Sequence, residues 1–70
     1  GKLSDAVFCF EQVLKIQNYK NLDMISFVAE FYNDTFLWNS TLELINLATC
    51  QLNARTYLAQ FNALRNLGRE

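Results

Sequence analysis

The sequence predicts an all-α domain of four helices, arranged as antiparallel helical hairpins stacked into a short α-solenoid fragment. Three observations predict it. The 70 residues contain no proline and two glycines, so little interrupts a helix. Apolar residues recur near the 3.6-residue period along most of the chain. Apolar residues make up 51% of the chain against 19% charged, and they fall into two stripes on a helix where a simple bundle uses one. A helix with two stripes is expected between two neighbours, as in stacked hairpins.

The first helix is expected from about Ser4 to Gln17. Leu3, Val7, Phe10 and Leu14 mark one face, and Ala6, Val13 and Ile16 lie beside it. Ser4 is the expected N-cap, with Asp5 near the positive end of the helix dipole. Asn18-Tyr19-Lys20-Asn21 supplies the stop, since asparagine tolerates left-handed and turn conformations. The second helix runs from Leu22 to Asn33 behind a cap at Asn21. Met24, Phe27, Val28 and Phe31 form one stripe, and Leu22, Ile25, Ala29 and Tyr32 the other. The third begins either near Phe36 behind Asp34-Thr35, or at the capping-box pattern Ser40-Thr41-Leu42-Glu43. Leu42, Ile45, Ala48, Thr49 and Leu52 line its face, with Trp38 near the start. The fourth runs from Ala54 to Leu67 behind Asn53. Tyr57, Phe61, Leu64 and Leu67 share a face, and Gly68 is the stop.

Composition narrows the function. Histidine is absent, which removes the usual general base and metal ligand. Cys9 and Cys50 have neither CxxC spacing nor a flanking cation, so two buried thiols in a reducing compartment are expected. Glu11, Glu30 and Glu43 are spread over three helices and read as solvated surface. An enzyme is not expected, nor a cofactor or a metal. A net charge of −1 and a pI near 5.2 give no basic footprint for nucleic acid or membrane. No leader is evident, and no apolar run approaches the ~18 residues of a membrane span. An intracellular, cytoplasmic protein is expected. Residues 1–70 read as one helical-repeat module. The chain opens Gly1-Lys2 without methionine and closes on Gly68-Arg69-Glu70, so a fragment of a longer repeat protein is expected.

Gly1-Lys2 and Gly68-Arg69 stand 67 residues apart, or two periods of roughly 33.5. The glycine turn, then Ala6, Phe10 and Val13, resembles the second helix of a tetratricopeptide repeat. Asn18 stands where that family usually has proline. The resemblance places Met24, Phe27, Val28 and Phe31 on the next first helix, and Ser40, Leu44 and Leu47 on the next second helix. It implies a protein-interaction scaffold that holds a partner segment on a concave helical face. Tyr32, Asn33, Asn62 and Asn66 are the candidate partner-binding residues, because amides can both donate to and accept from an extended backbone.

The chain also resembles a pentatricopeptide repeat, through Asn53-Ala54-Arg55-Thr56-Tyr57 followed by Leu64 and Gly68-Arg69. That resemblance implies single-stranded RNA as partner, Asn21 and Asn53 as base readers, and a mitochondrial or plastid location. The two asparagines are 32 residues apart (53 − 21), short for that family. A third reading is a small all-α domain that forms an obligate dimer, or another homo-oligomer, through surplus apolar surface.

Overall fold

The computed structural model describes residues 1–68. Those residues form four α-helices: α1 (Lys2–Ile16), α2 (Leu22–Asp34), α3 (Trp38–Leu47) and α4 (Ala54–Leu67). Arg69, half of the glycine–basic pair near the end of the chain, lies outside the described residues. The domain is all-α, without a strand among the described residues.

Local chemistry sets each boundary. Asn21 caps α2 by accepting from the Met24 amide at 3.1 Å. Asn53 and Thr56 build a reciprocal capping box on α4, both bonds being 3.0 Å. Neither serine expected as a cap serves as one. Gly1 occupies the α1 cap position and Leu37 that of α3, each without a side-chain bond. Ser40 lies inside α3, as the repeat register requires and the capping-box reading does not.

Two helices end in the same way. After α1, the Tyr19 amide donates to the Leu14 carbonyl and the Asn18 amide to that of Lys15, both at 2.9 Å. After α2, the Leu37 amide donates to the Tyr32 carbonyl at 2.8 Å and the Phe36 amide to that of Asn33 at 3.1 Å. These are Schellman closures, whose C′ residue must adopt a left-handed conformation. Asn18 does so at φ 56° and Phe36 at φ 64°.

α2, α3 and α4 pack against one another, and the non-sequential α2–α4 contact closes them into a small bundle. α1 packs on α2 alone. The buried core gathers Leu14, Ile25, Val28, Ala29, Tyr32, Leu44 and Ala59. α1 contributes only Leu14 to the fully buried set, with Val7 and Phe10 partly buried against the core. The Phe10 ring meets Phe27 and Phe31 edge to face, at centroid distances of 5.7 and 5.0 Å. The Cα trace spans 35 × 33 × 14 Å along its principal axes. The thin dimension accommodates two helix layers at most, given interaxial spacings of about 8–10 Å.

The face of α4 differs from expectation. Its inward residues are the small Thr56, Ala59 and Ala63, while Tyr57, Leu58, Phe61 and Leu64 are each more than half exposed. Small side chains let α4 approach both α2 and α3 closely, and the larger stripe is left outside. Cys9 is also exposed rather than buried.

Candidate functional site

Three surface features concentrate the side chains with chemistry to offer. The first is the groove between α2 and α4, lined by Glu30, Asn33, Asp34, Arg55, Leu58 and Asn62. Glu30 and Arg55 clamp it with a bidentate ion pair: Nε donates to Oε2 at 2.6 Å and Nη2 to Oε1 at 2.8 Å. The Arg55 hydrogen bond is the main influence on the Glu30 carboxyl, holding it below the usual carboxylate range against an opposing desolvation effect. Both side chains are nearly half exposed, so the pair fixes geometry more than it adds stability.

Of the residues expected to bind a partner, this groove unites Asn33 and Asn62. Asn33 is committed to the fold: Nδ2 donates to the Ala59 carbonyl at 3.0 Å, and Oδ1 accepts from Thr41 Oγ1 at 2.7 Å. One amide thus joins α2 to both α3 and α4. The Asn62 side chain makes no hydrogen bond among the described residues. Asn66, one turn further along α4, donates Nδ2 to the Asn62 carbonyl at 2.7 Å. Asn21 and Asn53, the base readers of the RNA reading, lie at the starts of α2 and α4 with their side-chain oxygens accepting cap bonds.

The second feature is the cleft between α1 and α3, where Tyr32 forms the floor. Glu11, Leu14, Lys15 and Tyr19 line one side, and Ser40, Glu43, Leu44 and Leu47 the other. Glu11 and Ser40 also line an apolar continuation past Leu3, Val7, Phe8 and Leu37. One groove therefore runs along α1. Tyr32 is 3% exposed, and burial, followed by the charges of Glu11, Tyr19 and Glu43, pushes its phenol up to about 12. The sequence groups Tyr32 with Asn62 on one expected face, whereas the two line different grooves. The sequence spacing places Glu11 and Glu43 on separate solvated surfaces. Their shared place beside Tyr32 comes from α1 and α3 flanking α2, which no local spacing encodes.

The third feature is the outward stripe of α4: Tyr57, Phe61 and Leu64 at i, i+4 and i+7, with Leu58 beside them. Arg65 stands 5.9 Å from the Phe61 ring centroid. Among the described residues, no three of His, Cys, Asp and Glu gather to hold a metal ion, and no helix is long and apolar enough to cross a membrane. No protein-family description, curated protein or solved structure matches this chain.

Proposed function

We propose that this domain is a non-enzymatic protein-interaction module that holds a partner segment along the outer surface of α4. One observation carries the reading. α4 packs inward through Thr56, Ala59 and Ala63 and presents four large apolar side chains to solvent. A contiguous apolar stripe bordered by polar groups is the usual form of an interaction surface. Asn62 and Arg65 supply that border, and the unengaged Asn62 amide offers both a donor and an acceptor. The Asn66 amide oxygen extends the same edge, while Asn33 holds the groove wall in place.

The finer reading, a slice of a tetratricopeptide-like stack, draws support from the same stripe, which a following hairpin would cover. The RNA reading has less support. Asn21 and Asn53 already spend their oxygens on caps, and the chain carries no surplus of positive charge.

The test uses a triple variant, Y57Q/F61Q/L64Q, and peptides selected from a displayed library against the wild-type domain. The variant is expected to keep its helical circular dichroism and lose peptide binding at least tenfold. Unfolding of the variant, or peptides that bind both forms equally, would overturn the reading. A wild-type dimer in sedimentation that the variant converts to monomer would instead give the stripe to a second copy.

A further inference from the structure

The cleft over Tyr32 holds a combination that the fold itself does not use. The Tyr32 side chain is buried, yet its hydroxyl makes no hydrogen bond among the described residues. The hydroxyl is not sealed off: among the described residues, Gln17 Oε1 is the fully buried side-chain polar atom without a partner. The Tyr32 hydroxyl instead borders an open cleft. Glu11 and Glu43 stand at the rim on α1 and α3, both exposed. Tyr19, from the Schellman turn after α1, adds a second phenol ring. Burial is the main cause of the upward shift of the Tyr32 phenol, with smaller contributions from the charges of Glu11, Tyr19 and Glu43.

The volume of this cleft, about 190 Å³, suits one side chain rather than a cofactor-sized ligand. Its walls combine carboxylates, aromatic rings and leucines. That mixture complements a compact cation on an aliphatic stem: an ammonium can donate to the carboxylates and to the phenol oxygen and can meet the ring faces.

We propose that this cleft is a receptor pocket for a lysine side chain of a partner protein, its stem against Leu44 and Leu47 and its ammonium among Glu11, Glu43, Tyr19 and Tyr32. The proposal rests on the interaction-module reading for the source of the lysine and deepens it with a charged anchor. Lys15 lines the same cleft and opposes an incoming cation. Its removal therefore strengthens binding, which a merely apolar cleft would not show. The apolar continuation past Val7 and Leu37 accommodates neighbouring residues of the same partner segment.

The probe is Nα-acetyl-lysine methylamide, titrated into the isotope-labelled domain and followed by NMR, with the norleucine analogue as the uncharged control. The lysine derivative is expected to shift the amides of Glu11, Tyr19, Ser40 and Glu43 and to saturate with a Kd of about 1–10 mM. The norleucine derivative leaves them unmoved. E11Q/E43Q, on exposed positions, weakens binding roughly five- to tenfold, and K15Q tightens it roughly two- to fivefold. Equal shifts from both derivatives, no saturable shift, or undiminished affinity in E11Q/E43Q would overturn the pocket. A single amino-acid derivative reports on this cleft alone, so its failure leaves the α4 reading standing.

Discussion

Phe36 holds a position that helix termini usually give to glycine. Its φ of 64° closes α2, the residue is 75% exposed, and its ring centroid lies 5.7 Å from that of Trp38. The left-handed conformation costs a side-chain-bearing residue about 1–2 kcal/mol, and an exposed ring recovers little of that. F36G is therefore expected to raise stability by roughly 0.5–1 kcal/mol in urea unfolding, part of the gain being offset by the freer unfolded chain. Tyr19 has the same backbone, at φ 56°, but packs against the core, so Y19G is expected to lower stability. A gain for both or a loss for both would contradict this account. At this scale the caps at Asn21 and Asn53 were legible, because their partners lie three residues away. The role of Asn33 was not. Its partners, Thr41 and Ala59, lie 8 and 26 residues on, and sequence spacing shows only a free amide.

The four helices are not held equally. α2, α3 and α4 share three mutual interfaces, whereas α1 has one neighbour, a single fully buried residue and the Phe10 cluster. α1 amides are expected to exchange with solvent faster than those of α2 and α3. L14A removes that buried anchor at a cost of about 2–4 kcal/mol and is expected to bring α1 to near-unprotected exchange before the rest of the bundle opens. Exchange protection equal across all four helices would refute it. The existence and order of the helices could be read from periodicity, and the α2 and α4 starts coincide with expectation. The orientation of α4 could not. Tyr57-Phe61-Leu64 and Thr56-Ala59-Ala63 both repeat at helical spacing, and hydrophobicity favours the larger set. Close three-way packing selected the smaller one.

For the molecule as a whole, two titrations bound the range of stable pH. Arg55 depresses the Glu30 carboxyl, so the contribution of the pair is present above the ordinary 4.5 and is lost as pH falls through the lowered value. Burial and neighbouring negative charge raise the Tyr32 phenol to about 12. Its neutral form is favoured in the fold, and stability falls as pH rises from 10.0 towards that value. With no histidine in the chain, the urea midpoint is expected to stay flat between about pH 5 and 8. R55Q should remove part of the acid-side fall, and Y32F part of the alkaline-side fall. A midpoint that drifts across the neutral range would contradict the assignment.

The inverted packing of α4 has a consequence for how this chain can change. Its contribution to folding is written in threonine and alanine, which admit few replacements, while the larger letters facing outward stay more than half exposed. Substitutions on that side are therefore free to alter what the helix greets without altering how it is held. Recognition and architecture occupy opposite sides of a single turn of helix, and one can drift while the other stays fixed.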